Sequence, residues 1–389
     1  MLWLIPAVYF VFVAGEFGAL TYLALRATDA GESALRVGWL AAAMWAGILC
    51  SSASAHRVSQ RLGFVRTFTL GSGLAFASVL SFNMTHVHEL WVTGAFVLGV
   101  GGGLVWVVGE SWLAEAAPPA QRGLYVGWFE AAVGLGLMAG PLLIPLARAL
   151  SWSPLLLATL VMGLALLASL MLSGVKRPGP QAHPEHPSPA ISESPDWRQI
   201  AYPLVAVAML SGMMEAGVSA LLPSLSMRLG YSLATAAMLG AVIGAGSALL
   251  QPPAGRLADR WHAPRLILAC WAILLVTSLT LLIWAENPGQ LLWVVGFVLG
   301  GVGGAIYTLS IIEMGHRLQG ANLVKAISLL VISYSLGTAF APILGGYVFD
   351  RAGMSGFAMV FVALCLIGTA VSRFTRSHVA PPRCTAEYR

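Results

Sequence analysis

The sequence has 389 residues, of which 58% are hydrophobic and only 10% are charged, and its formal net charge is +5. Soluble globular domains carry about 25% charged residues, so this composition excludes an ordinary water-soluble protein and predicts a protein of the lipid bilayer. The basic excess predicts contact with anionic lipid, and it does not require a nucleic-acid partner.

Apolar segments long enough to cross a bilayer recur along the whole chain. A membrane-spanning helix needs about 20 predominantly apolar residues. The first such segment lacks a basic region before it and a small-residue cleavage site after it, so it is predicted to be a retained helix rather than a signal peptide. Twelve spans are predicted, at residues 2–25, 36–55, 64–84, 90–112, 123–147, 154–174, 199–222, 233–254, 265–284, 290–312, 324–346 and 355–373.

Basic residues predict the orientation of these spans. With a cytoplasmic N-terminus, sixteen Lys and Arg residues fall in the inner loops and tail, and five fall on the outer side. Inner loops of membrane proteins carry such an excess of Lys and Arg. Both termini are therefore predicted to be cytoplasmic.

The first span carries an acid, Glu16, that lies at least ten positions from the nearest basic residue of its helix. A carboxylate at this depth costs about 2.5–3.5 kcal/mol on insertion scales, and such residues are usually functional. Tyr9 and Phe12 precede Glu16 by one to two turns on the same helical face. We expect these two rings to line a cavity that contains Glu16.

Spans four and five add further candidates. Trp106 lies in span four, which ends in Glu110 followed by Ser-Trp-Leu. Span five contains Trp128 and Glu130, about seven residues from its inner end. Glu130 is a third candidate for a buried acid, and both tryptophans are candidates for the cavity wall.

Residues 175–198 differ in composition from the spans on either side. Six prolines alternate there with Ser, Glu and His, a composition typical of a semi-extended linker. The linker is predicted to be cytoplasmic and to separate residues 1–174 from residues 199–373, with residues 374–389 as a cytoplasmic tail.

The second half of the chain repeats the first. The Phe-Val-Leu-Gly sequence at 96–99 returns at 297–300, and Glu16 returns as Glu215, about 200 positions later. Parallel repeats of this kind are typical of carriers in which two halves rock around a central site. Glu215 is therefore predicted to lie at the depth of Glu16, and Tyr307 and Tyr334 to contribute to the same cavity.

Two local patterns accompany this repeat. After span eight, residues 255–260 read Gly-Arg-Leu-Ala-Asp-Arg. In span five, Gly127, Gly136, Gly140 and Pro141 follow the spacing G-(x)8-G-(x)3-G-P. With six spans, a linker and six more spans, the chain resembles the major facilitator superfamily over essentially its whole length. The Glu-Ser-Trp-Leu ending of span four is similar to a poorly characterised bacterial subgroup of that superfamily.

The resemblance implies an all-α membrane protein of the bacterial inner membrane, with two pseudo-symmetric six-helix bundles. In the loop motif, Gly255 would permit a tight turn and Asp259 would cap a helix. By similarity, a cytoplasmic gate would pair Glu110 with Arg61 or Arg57. It would also pair Glu313 with Arg260. The alternative is that these acids extend to the interface without a gating role.

Three roles remain open for Glu16, Glu130 and Glu215: binding a proton, binding a cationic part of a substrate, or hydrogen bonding as a neutral acid to a neighbouring helix. A low-dielectric site favours the protonated carboxyl, which suits a proton carrier. The glycine and proline pattern of span five resembles the antiporter motif of exporters. Packing of helices explains such glycines equally well.

The sequence therefore predicts a secondary transporter, with proton-coupled export of a small amphipathic compound ahead of proton-coupled uptake of a metabolite. A membrane sensor or scaffold that moves no solute is a further alternative. No HExxH or GxxxxGK[ST] motif is present, so an enzyme, a metal site and an organic cofactor are not expected. The partners expected are a small solute, protons and lipid, and the protein is expected to be monomeric.

Overall fold

The computed structural model describes residues 3–116, 122–172, 197–258, 261–318 and 320–377. All regular structure in these ranges is helical. The helices are α1 (Leu4–Asp29), α2 (Ala34–Leu62), α3 (Phe64–Phe82), α4 (His88–Ala116), α5 (Arg122–Ala149), α6 (Pro154–Met171), α7 (Trp197–Arg228), α8 (Leu233–Ala258), α9 (Ala263–Ile283), α10 (Leu291–Arg317) and α11 (Gly320–Ser377). The predicted all-α class is confirmed.

Helix α11 contains the last two predicted spans. It has 58 residues, and its regular geometry is interrupted at Gly353, which has φ 61° and ψ −155°. At about 1.5 Å per residue, such a length far exceeds one bilayer crossing. The interruption falls between the predicted spans 324–346 and 355–373, so residues 320–352 and 354–377 form two separate arms.

Several helices extend beyond the predicted spans. Helix α2 continues to Leu62, and α11 continues to Ser377, four residues past the predicted last span. Helix α7 begins at Trp197, within the predicted linker of 175–198. These additions carry polar and charged residues, which hydropathy excludes from a span although they continue the helix.

The sequence repeat is also a repeat of helix packing. A Cβ atom on Gly47 of α2 would collide with the carbonyl oxygen of Phe96 on α4, and a Cβ on Gly246 of α8 would collide with the carbonyl oxygen of Phe297 on α10. Small residues at such crossings let two backbones approach closely. The same contact therefore forms in both halves, at positions that correspond in the repeat.

We call α1–α6 the first half and α7–α11 the second half. The halves meet where α2 packs against α11 and where α5 packs against α8. One end of the molecule, the linker face, contains residues 172 and 197; the opposite end, the Asp350 face, contains the connections after α1, α3, α5, α7 and α9.

Hydrogen bonds join the two halves at the Asp350 face. The Oδ1 atom of Asp350 accepts from the backbone N–H of Ala34, and its Oδ2 accepts from that of Leu35, both at 2.8 Å. Arg228 donates to the carbonyl oxygen of Glu32. Asp350 thus caps the first turn of α2, where free N–H groups and the helix dipole favour a negative charge. This end of the interface between the halves is closed.

Candidate functional site

A cavity of about 90 Å³ lies between the halves. Its walls come from α1, α2, α4 and α5 on one side and from α7, α8, α10 and the first arm of α11 on the other. One buried water needs about 10–15 Å³ of such space. The cavity therefore has room for several waters or one compact solute.

The walls are mainly apolar, and their described charged residues are both acids. Glu16 and Glu215 line the cavity, and no Arg, Lys or His is found among the described lining residues. Tyr9, Trp106 and Tyr334, which the sequence selects, are also part of the wall. The tertiary structure therefore brings the acids of α1 and α7 into one space with three of the selected aromatic residues.

Glu16 is almost completely buried, with 4% of its surface exposed. Its Oε1 atom has no hydrogen-bond partner among the described residues. A Cβ on Gly102 of α4 would lie 2.5 Å from that oxygen, so the absence of a side chain there leaves space for the carboxyl group. Burying an ionised carboxylate without partners is costly, and the neutral acid is the form that this environment favours.

Glu215 lies in a different environment, since it is only partly buried and receives hydrogen bonds. The Tyr334 hydroxyl donates to Oε2 at 2.7 Å, and the Ser247 hydroxyl lies 3.5 Å from Oε1. The Gln251 Nε2 atom in turn donates to Ser247 at 2.6 Å. Hydrogen bonds from neutral donors favour the ionised form of a carboxylate.

Two predicted wall residues do not reach the cavity. Phe12 is fully buried, and its ring lies 6.2 Å from that of Tyr9. Tyr307 packs against Tyr334, with ring centroids 4.3 Å apart. Neither ring is among the residues that line the cavity, so both predictions are wrong. The side chains of Trp128 and Glu130 lie outside what the structure describes.

The predicted cytoplasmic gate is described only in part. Asp259 and Arg260 lie outside the described residues, as does the side chain of Glu110. Arg61 is exposed in the last turn of α2. Glu313 is 3% exposed and forms an ion pair with Arg317, four positions along its own helix. The acid that was predicted to contact Arg260 therefore has an intrahelical partner, which its i,i+4 spacing could have revealed.

Gly255 does not form a tight turn. It lies inside helix α8, and open space surrounds the position that a Cβ atom would take. The expectation that a glycine is needed here for backbone geometry is wrong, because the helix continues to Ala258 through this position.

Sequence reasoning missed several polar and aromatic residues near the acids. Trp45 and Phe17 line the cavity, and Ser247 and Gln251 form the hydrogen-bond chain to Glu215. The i,i+4 spacing of Ser247 and Gln251 on one face of α8 was an available signal. Within the described ranges, no three His, Cys, Asp or Glu side chains converge as a metal ion would require.

Comparisons with known sequences agree with this architecture. The family model for the Major Facilitator Superfamily matches residues 7–247 and 204–387. The uncharacterized MFS-type transporter YfkF of Bacillus subtilis is 25% identical over 349 residues, which cover 86% of this chain and 87% of the relative. The uncharacterized MFS-type transporter YcaD of Escherichia coli is 26% identical over 315 residues, which cover 80% and 78%.

Solved transporter structures share the fold. A D-xylose-proton symporter superimposes with a TM-score of 0.77 at 16% identity, covering 97% of this chain and 98% of that one. A POT family transporter in complex with 5-aminolevulinic acid gives a TM-score of 0.77 at 13% identity, covering 97% and 95%. A bacterial homologue of the human lysosomal transporter Spinster, inward-facing and occupied, gives 0.74 at 14%, covering 97% and 96%. At these identities the likeness shows the fold alone.

Proposed function

The chain belongs to the Major Facilitator Superfamily of membrane transporters, and on that premise we propose that it exports a small amphipathic solute in exchange for protons that bind to Glu16. The predicted superfamily is confirmed, and the protein is a multi-pass secondary transporter rather than an enzyme. Proton coupling and the direction of transport are our inference from the cavity.

The observation that carries this proposal is the burial of Glu16 in the wall of a cavity between two movable halves. In the closed cavity the carboxyl group is stable when it is protonated. When the cavity opens to one side, entering water stabilises the ionised form and the proton can leave. Alternating access then carries a proton across the membrane in each cycle.

Other titratable groups share this space. Glu215, Tyr9 and Tyr334 are the described ones that line the cavity with Glu16. Tyrosine ionises only near pH 10, and Glu215 already receives hydrogen bonds that favour its ionised form. Glu16 is therefore the member of this set best suited to gain and lose a proton around neutral pH.

The proposed cycle requires the Asp350 face to open and close. We place this face outside the cytoplasm, with both termini and the linker in the cytoplasm, because the basic residues concentrate in the loops of the linker face. Residues 1–174 and 199–373 would then move as two units within one monomer. The hydrogen bonds of Asp350 to α2 hold the closed state.

Proteoliposomes that contain a pH-sensitive dye test the proposal without an imposed gradient. Compact amines, alcohols and carboxylates are added outside, and the pH of the lumen is recorded. Exchange predicts that at least one solute makes the lumen more alkaline than in protein-free liposomes, and that Glu16→Gln removes this difference. Glu286→Gln, an exposed acid in the α9–α10 connection, is the matched control.

Four other outcomes would contradict the proposal. Acidification of the lumen beyond that in protein-free liposomes would indicate uptake of solute and proton together. Solute movement with no change in pH, or the same pH change in Glu16→Gln, would exclude Glu16 as the proton carrier. A protein that moves none of these solutes would contradict the proposed exchange of a compact amphipathic solute.

A further inference from the structure

Building on the proposed exchange function, we propose that the transported solute is a compact organic monocation, an amine with an apolar body, and that Glu215 binds its positive charge. The charges, hydrogen bonds and aromatic rings of the cavity support this assignment. It assigns different tasks to the two acids, since Glu16 binds the proton and Glu215 binds the solute.

The charges of the cavity select against anions. Two carboxyl groups line it, and the described wall contains no basic side chain that could balance a phosphate or carboxylate ligand. A buried anion beside Glu215 would therefore be repelled and left without a counter-charge. A cation would be attracted instead, because the Glu215 carboxylate provides a negative charge that can pair with it.

The hydrogen bonds around Glu215 hold its carboxylate ready for a cation. Tyr334 donates from α11, and Ser247, supported by Gln251, approaches from α8. These donors stabilise the ionised form and fix its orientation, yet they leave acceptor sites on a carboxylate that can take about four hydrogen bonds. An ammonium group can occupy those sites.

Aromatic rings provide the rest of the binding surface. Tyr9, Trp45, Trp106 and Tyr334 all line the cavity. The faces of such rings attract cations, most strongly where water is excluded, and they also cover apolar groups. The space of about 90 Å³ restricts the solute in this state to a compact molecule.

The shared cavity also explains how the cation would release the proton. A positive charge close to Glu16 favours the ionised form of that acid, so binding of the amine expels the proton. With a proton bound, the site carries one negative charge, on Glu215. With a monocation bound and Glu16 ionised, the site again carries one negative charge. One cation therefore exchanges for one proton without net movement of charge.

Equilibrium binding tests the solute class independently of transport. Benzylamine, benzyl alcohol and benzoate have similar shapes but are cationic, neutral and anionic at neutral pH. Their binding to the purified full chain is followed by tryptophan fluorescence, since Trp45 and Trp106 lie in the cavity wall. We expect benzylamine to bind at least about tenfold more tightly than the other two.

Variants then locate the charge that binds the amine. Glu215→Gln should weaken benzylamine binding by about tenfold or more. Glu215→Asp, which keeps the charge, should bind benzylamine more tightly than Glu215→Gln, and this binding would show that the site still folds. Tyr334→Phe should weaken binding less. Glu16→Gln should still bind benzylamine but release no proton, as measured with a dye in weakly buffered solution. Glu286→Gln should behave as wild type in both measurements.

Several results would overturn the inference. The first is that benzylamine does not bind. The second is that benzoate or benzyl alcohol binds as tightly as benzylamine. The third is that Glu215→Gln binds benzylamine as tightly as the wild type does. Proton exchange with carboxylates through Glu16 would leave the proposed exchange function intact and reject the amine as the solute. Amine binding without proton release would leave the amine as the solute and reject the proposed exchange for protons. Exchange whose rate follows an imposed membrane potential would reject the one-to-one stoichiometry.

Discussion

The two halves of this transporter hold the same acid in different surroundings. Glu16 and Glu215 correspond in the repeat, but Ser247, which lies near the Glu215 carboxylate, corresponds to Ile48, and Tyr334 corresponds to Val133. Ile48 and Val133 also line the cavity. The first half thus has apolar side chains where the second has hydrogen-bond donors.

This difference shows that one backbone plan can support two carboxylates with distinct chemistry. The glycine contacts that set the helix crossings are equivalent in the two halves. The side chains beside the acids differ. The two hydroxyl groups near Glu215 stabilise its ionised form more than the apolar side chains near Glu16 can.

The strongest test of this comparison is to neutralise the two acids separately. Glu16→Gln should reduce proton-coupled transport by about 100-fold or more, because general proton transfer groups contribute on the order of 10²–10⁴. Exchange of one amine for another should survive, since it needs no proton. Initial rates in proteoliposomes, with and without internal amine, would show this; equal loss of both rates would place Glu16 in solute binding instead.

Exchanging the surroundings of the acids should produce a smaller effect. Ile48→Ser gives Glu16 a hydroxyl like the one beside Glu215. A hydrogen bond to a charged group contributes about 1.5–3 kcal/mol, so the ionised form of Glu16 gains stability. The pH at half-maximal transport should fall by about one unit or more, since one unit corresponds to about 1.4 kcal/mol.

The matched variant for this experiment is Ile48→Ala, which removes a similar volume without adding a donor. An equal change in the pH profile of both variants would mean that cavity size, rather than hydrogen bonding, distinguishes the two halves. Tyr334→Phe is the converse variant, because it removes a hydrogen-bond donor that stabilises the ionised form of Glu215.

The equivalence of the backbones predicts equal sensitivity at the helix crossings. Gly47→Ala and Gly246→Ala should each lower stability by about 1–3 kcal/mol, because the added methyl group collides with a backbone carbonyl. Gly255→Ala should be neutral or slightly stabilising, since its surroundings are open. Thermal unfolding in detergent would measure this, and tolerance of alanine at only one of the two crossings would show that the packing is not equivalent.

The smallest expected effect concerns the closed Asp350 face. Asp350→Asn removes the charge that interacts with the first turn of α2, an interaction of about 0.3–1 kcal/mol at an exposed helix end. The population open at this face should rise by about two- to fivefold. Distances between spin labels on the two halves would report the shift, with the exposed Asp29→Asn as control. An unchanged distribution would mean that other contacts alone hold this face closed.

The sequence by itself determined the class of protein and the location of its two principal acids. Hydropathy located the spans because lipid requires long apolar helices whose backbone groups bond within the helix. The offset of the repeat placed Glu215 opposite Glu16, because both halves follow one backbone plan. These inferences depend on positions along the chain, which a sequence contains directly.

Only the tertiary structure decided which side chains meet. The capping of α2 by Asp350 joins residues 316 positions apart, and the donation of Tyr334 to Glu215 spans 119. Neither separation along the sequence nor hydrophobic periodicity predicts such partners. Which side chains meet depends on how each helix is rotated and how deeply it packs against the next. The rotation of α11 brings Tyr334 to Glu215 and leaves Tyr307 packed against its ring, whereas Val133 offers Glu16 no donor at all.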